Sequence, residues 1–163
     1  MTRSRRPGDA SDPRAQWLRL DQQLCFALYS SSLAMTRLYK PLLAPLGLTY
    51  PQYLALLVLW EADGLSVSQL GQRLSLDSGT LTPLLKRLEA LGHVERRRAS
   101  DDERRVDLFL TPAGRALRAR ALDIPARLAS TSTCAPDELT ALTRRLHELR
   151  GRLCSAAASA AAD

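Results

Sequence analysis

Cysteine, histidine and aromatic side chains are scarce in this chain. Its 163 residues include three cysteines and two histidines, and 5% are aromatic. Cys25, Cys134 and Cys154 lie too far apart for the disulfide framework of a small secreted domain, and with only His93 and His147 beside them they make no zinc-ligand spacing. No metal and no cofactor is expected. The longest apolar run, Leu54 to Trp60, is far shorter than the roughly 20 residues that cross a bilayer. No charged start leads into an apolar signal core, so the expected location is the cytoplasm, away from membranes. Lysine is nearly missing too: of 23 cations, all but Lys40 and Lys86 are arginine, whose planar fork suits phosphates and base edges. The net charge is +6, yet residues 66–111 carry only +1 of it. Net charge alone therefore locates no binding face.

What is present is an ordinary globular composition, 45% hydrophobic and 25% charged, long enough for one domain. Residues 1–12 read as a flexible basic arm, 13–155 as a single domain and the alanine-rich residues 156–163 as a disordered tail. Asp12-Pro13 predicts the start of a long first helix running to about Tyr39, before Lys40-Pro41. Thr49-Tyr-Pro-Gln52 and Ser66-Val-Ser-Gln69 are two capping boxes, each flanked by the residues of a hydrophobic staple. The first opens a helix apolar nearly all round, the mark of burial; the second opens a short helix ending near Leu74. After the connection Ser75 to Ser78, the apolar residues Leu81, Leu84, Leu85, Leu88 and Leu91 predict a third helix stopped by Gly92. Because Pro83 forfeits a backbone hydrogen bond outside a first turn, this helix is expected to begin a residue or two after Ser78. Val94 to Arg98 and Arg104 to Leu110 form a hairpin, Thr111-Pro112 caps a helix continuing to about Ala129, and a last helix begins near Pro136. Its leucines at 139, 142, 146, 149 and 153 follow the 3,4 spacing of a helix packed along another helix.

The expected fold is mainly α with a small β wing: a winged helix-turn-helix at about 49–111, between N- and C-terminal dimerisation helices at about 13–47 and 112–155. Opposite the leucines, the third helix presents Ser78, Thr80, Thr82, Pro83, Lys86 and Arg87. Small hydroxyls come first and cations later, as suits a helix whose N-terminal part enters a major groove while its cations reach phosphates. A solvated polar face explains the same pattern; the short helix before it and the hairpin after it favour double-stranded DNA. At the hairpin tip Asp101, Asp102 and Glu103 would repel phosphates, unless an acid such as Asp102 orients Arg104 toward a minor groove.

All four tyrosines fall between residues 29 and 53, and Cys25, Tyr29, Ser32, Thr36 and Tyr39 share one face of the first helix. Phenol hydroxyls lower a thiol's pKa by bonding its thiolate, which favours attack on a peroxide oxygen. A cysteine filling a packed core satisfies the stripe equally well. Cys25 and Tyr39 stand about 21 Å apart along a straight helix, so Tyr39 reaches only the Cys25 of an antiparallel partner chain.

Four stretches, LDQQLCFALYSSSLAMTRLYKPLL, LGLTYPQYLALLVLWE, LDSGTLTPLLKRLEALG and DDERRVDLFLTPAG, together resemble the organic-hydroperoxide-sensing repressors of the MarR family. The likeness runs from about Leu20 to Gly114. It implies a homodimeric winged helix whose reduced form represses at a pseudo-palindromic operator and whose oxidant is an organic hydroperoxide. It also implies that Cys25 is the peroxidatic thiol, that Tyr39 and Tyr50 of the opposite protomer hydrogen-bond it with Tyr29 close by, and that Arg104, braced by Asp102, is the wing-tip arginine. In one branch of that subgroup a second cysteine forms an intersubunit disulfide. Here Cys134, in the loop Ser130-Thr-Ser-Thr-Cys134, is the expected resolving thiol; Cys154, after the leucine seam, is the less favoured choice because it is expected to fill a packed or frayed helix end. Two rivals remain: a MarR-type repressor released by a reversible organic ligand, and a thiol peroxidase using Cys25 and Cys134. The second leaves the helix-turn-helix without a purpose, so no enzymatic activity is expected.

Overall fold

Thr49 opens the helix at the centre of the molecule. In the computed structural model, which describes residues 13–99 and 105–161, the Gln52 side chain accepts the Thr49 N–H at 2.8 Å. Helix α2 (Tyr50–Glu61) then buries Tyr53, Ala55, Leu56, Val58 and Leu59. Before it stand two short 3-10 segments, Pro13–Leu18 and Leu20–Gln22, and helix α1 (Leu24–Leu43). After it come strand β1 (Leu65–Ser66), helices α3 (Val67–Leu74) and α4 (Ser78–Ala90), strands β2 (Val94–Arg98) and β3 (Val106–Leu110), then helices α5 (Pro112–Ala121), α6 (Ile124–Ser132) and α7 (Pro136–Ala160). The three strands form an antiparallel sheet in the order β1-β3-β2, with Leu65 opposite Leu108 and Arg97 opposite Asp107.

The core gathers Leu42, Leu43, Leu46 and Leu48 with the inner faces of α2, α3, α4 and the sheet, and extends to Leu117, Ala121 and Ile124. Helix α4 ends in left-handed Gly92, φ 72°, and the His93 N–H returns to the Leu88 carbonyl at 3.0 Å. That closing bond turns the chain into the wing. Helix α6 packs against α1. Helix α7 buries no residue fully, and between it and α1 runs an apolar groove of about 500 Å³ lined by Leu28, Met35, Leu142, Leu146 and Leu153.

Several expectations need correction. The first helix starts at Leu24, not Pro13, and passes through Pro41 to Leu43. An interior proline costs about 3 kcal/mol, but burying a leucine contributes about 1.5–3 kcal/mol, and both Leu42 and Leu43 are buried beyond the proline. Helix α4 likewise begins at Ser78, one turn before Pro83, because Asp77 caps it: its carboxylate accepts the Thr80 N–H at 2.8 Å. The helix expected to run from Thr111 to Ala129 breaks at Leu122 and Asp123, since Pro125 in the first turn of α6 has no N–H with which to continue α5. The two-stranded hairpin gains β1 as a third strand. Residues 156–160, expected in a disordered tail, belong to α7; alanine is the strongest helix former. The 1–12 arm and the acidic hairpin tip, with Asp102 and Arg104, lie outside the described residues.

Candidate nucleic-acid interface and thiol site

Helix α3 is set by a complete capping box: the Gln69 side chain accepts the Ser66 N–H at 2.8 Å, and the Ser66 hydroxyl accepts the Gln69 N–H at 3.1 Å. At its far end Ser75 takes a left-handed conformation, φ 55°, and the turn presses close, so that a Cβ on Gly71 would meet the Leu76 carbonyl and the Leu81 side chain at 2.9 Å. The pair α3–α4 is thereby fixed. Leu81, Leu84, Leu85 and Leu88 point into the core, while Ser78, Thr80, Thr82, Pro83, Lys86 and Arg87 are all exposed on one helix. The Thr82 hydroxyl donates to the Ser78 carbonyl at 2.8 Å and that of Thr80 to Asp77 at 3.1 Å.

Most wing arginines are engaged within the protein. Arg96 pairs with Glu89 at 3.0 Å, Arg97 pairs with Glu95 and lies over the Phe109 ring at 4.7 Å, and Arg105 meets Asp107 at 3.2 Å. Among the described residues Lys86 and Arg87 have no such ion pair, and both are exposed on α4. Asp77, the cap that sets the start of α4, went unnoticed in the sequence, although an aspartate just before the first helical residue is a favoured cap. Its carboxyl sits below the ordinary carboxylate range because it accepts bonds from the Thr80 backbone and hydroxyl.

The thiol-bearing face of α1 is divided within the chain. Cys25 is exposed in the first turn, and Tyr29, 62% exposed, follows one turn later. Tyr39 is at the other end, stacked on Tyr50 with ring centroids 4.5 Å apart and on Tyr53 at 5.8 Å. Burial, reinforced by Tyr50 and Tyr53, pushes the Tyr39 phenol up to about 12; burial raises that of Tyr50 as well. Both phenols stay protonated at neutral pH, so each hydroxyl keeps a proton to donate. A single chain brings Tyr39 and Tyr50 together but does not bring them to Cys25. Cys134 lies in the three-residue joint between α6 and α7, half-buried, its thiol donating to the Ser132 carbonyl at 3.4 Å, beside left-handed Thr133, φ 58°. Cys154 is neither packed nor at a frayed end: it is exposed on the continuous helix α7. No group of three or more metal-ligating side chains occurs among the described residues, and no single helix there is long and apolar enough to cross a membrane.

A helix-turn-helix followed by the β2–β3 hairpin, with β1 before it completing the sheet, defines a winged-helix regulator. The family described as transcriptional regulator SarA/Rot matches residues 37–120. The HTH-type transcriptional regulator TtmR of Methylorubrum extorquens is 53% identical over 86% of this chain and 72% of its own length. The organic hydroperoxide resistance transcriptional regulator of Bacillus subtilis is 49% identical over 81% and 90%. Among solved structures, AbfR of Staphylococcus epidermidis matches with TM-score 0.71 and 35% identity over 87% of this chain and 98% of that one. Reduced AbfR bound to DNA matches with 0.70 and 34% over 86% and 99%, and apo MarR from E. coli with 0.62 and 28% over 78% and 96%. The chain belongs to the SarA/Rot-type, MarR-like transcriptional regulators.

Proposed function

We propose that two copies of this chain form a dimer that holds a pseudo-palindromic operator, and that oxidation of Cys25 by an organic hydroperoxide releases it. The observation that carries this reading is the split thiol site: an exposed Cys25 at one end of α1, and two stacked, protonated phenols, Tyr39 and Tyr50, at the other. An antiparallel partner reunites them and covers the apolar groove between α1 and α7. The name of the Bacillus subtilis relative and the DNA-bound form of AbfR support the same reading.

The chemistry follows from the donors. Phenol O–H groups stabilise the Cys25 thiolate, which attacks the outer peroxide oxygen; the S–O bond forms, the O–O bond breaks, and the alkoxide leaves with a proton as an alcohol. Sulfur is oxidised to sulfenic acid and the peroxide is reduced. Cys134 of the other chain then attacks that sulfur, forming the disulfide and expelling water. On DNA, the α4 helices of the two chains enter successive major grooves roughly 34 Å apart, with Ser78, Thr80, Thr82 and Pro83 at base edges, Lys86 and Arg87 on phosphates, and Arg104, braced by Asp102, at the wing tip. An operator titration with an organic hydroperoxide tests the proposal. Native protein is expected to release DNA, while Cys25→Ser binds and ignores the peroxide. Normal release by Cys25→Ser transfers the function to a reversible organic ligand.

A further inference from the structure

Helix α5 is gripped at both ends by different parts of the protein. At its start the Thr111 N–H donates to the His93 carbonyl at 3.1 Å, and the Trp60 indole N–H donates to the Gly114 carbonyl at 2.9 Å. Arg115 reaches Asp63, 52 residues earlier, at 2.7 Å. At its other end the Arg120 guanidinium donates to the Pro45 carbonyl at 2.7 Å, just beyond α1, and α6, which follows, packs on α1 itself. Ten helical residues span about 15 Å. Helix α5 is therefore a short strut between the helix that bears Cys25 and the root of the wing.

Asp63 distinguishes itself among these contacts. One carboxylate oxygen accepts the N–H of Leu110, the last residue of β3, at 2.8 Å; the other accepts Arg115 of α5. Because a carboxylate is planar and rigid, strand and helix cannot reorient independently while both bonds hold. Asp63 itself lies in the bend between α2 and β1, two residues after Glu61, and is followed by left-handed Gly64, φ 78°, whose N–H also bonds its carboxylate at 3.1 Å.

We propose that Asp63 and Arg115 form the joint through which displacement of α1 swings the wing and α4 out of operator register. They are positioning residues, and this inference rests on the Cys25 reading above. Both side chains are partly exposed, 34% and 57%, so the pair can be altered without opening the core.

The test compares operator Kd for reduced and peroxide-treated protein, with Cys25 oxidation followed by intact mass in the same samples. Asp63→Asn keeps the acceptor for Leu110 but discharges the pair; Arg115→Ala removes the link; Arg118→Ala, on the same helix, controls for a lost cation. In Asp63→Asn and Arg115→Ala, Cys25 should oxidise at the native rate while the oxidised-to-reduced Kd ratio falls at least about fivefold, the lower end of ordinary coupling between sites. Arg115→Lys should restore part of it, and provides the readout if Arg115→Ala does not fold. A native ratio in both variants, or an equal fall in Arg118→Ala, overturns the joint. Native protein that oxidises at Cys25 without releasing DNA overturns the Cys25 reading, and the joint with it.

Discussion

Tyr39 and Tyr50 meet with their ring planes tilted by 33° and their centroids 4.5 Å apart, joining the last third of α1 to the first turn of α2. Each ring thus carries a packing role separable from that of its hydroxyl. Tyr39→Phe and Tyr50→Phe should retain the stack and lose only a donor to the partner's thiolate. A hydrogen bond to a charged group contributes about 1.5–3 kcal/mol, so hydroperoxide oxidation of Cys25 should slow by about tenfold or more in stopped-flow measurements. Operator affinity should stay within about twofold. Native oxidation rates in both variants would reduce the pair to core aromatics.

Lys86 and Arg87 stand on the exposed face of α4 without ion pairs among the described residues, in contrast to Arg96 and Arg97 of β2. Operator binding should weaken steeply with salt, the logarithmic slope falling by about 0.9 for each phosphate contact removed. Arg87→Ala and Arg104→Ala should each flatten that slope in fluorescence anisotropy titrations. A slope unchanged in Arg104→Ala removes the wing tip from the interface.

Cys134 belongs to the joint between two helices, whereas Cys154 belongs to the interior of a 25-residue one. Disulfide formation requires Cα atoms within roughly 7 Å, and a loop thiol makes that approach with less loss of helix. Peroxide should crosslink Cys25 to Cys134 of the other chain, giving a dimer band on a non-reducing gel that is lost in Cys134→Ser and kept in Cys154→Ser. The opposite pattern assigns the resolving role to Cys154.

His93, at the root of the wing, has a buried Nδ1 with no hydrogen-bond partner among the described residues. Burial, followed by the nearby Arg120 charge, lowers its pKa from 6.5. The folded state therefore binds this proton less readily than the unfolded chain, and the associated stability is full above about pH 6.5 and declines as pH falls toward the folded value. Thermal melts should show Tm dropping between pH 7.5 and 5.5, by less in His93→Gln. An equal drop in the variant assigns the acid sensitivity to other groups.

Local signals in the sequence carried most of the fold. The capping boxes at Thr49 and Ser66 and the leucine spacing of α4 depend on neighbours a few residues away, and each lies where its pattern points. Errors arose where distant packing overrides local chemistry, as at Pro41 and Pro83, which α1 and α4 absorb because the leucines around them are buried. A two-residue strand such as β1 has no periodicity to read; its pairing with Asp107 and Leu108 defines it. The exposed face of α4 was legible from its own leucines, but the Asp63–Arg115 link spans 52 residues and leaves no mark in either local segment.

Gly114 has a consequence for inheritance. A Cβ there would sit 2.0 Å from the His93 carbonyl oxygen, a backbone atom that cannot step aside. Every missense change at this codon introduces a Cβ, so the position is closed to drift while its exposed neighbour Ala113 remains open. Recombination between relatives meets the same barrier: a chimera that takes its flanking helices from another regulator must bring a glycine to this place, or separate the wing root from the helix that follows it.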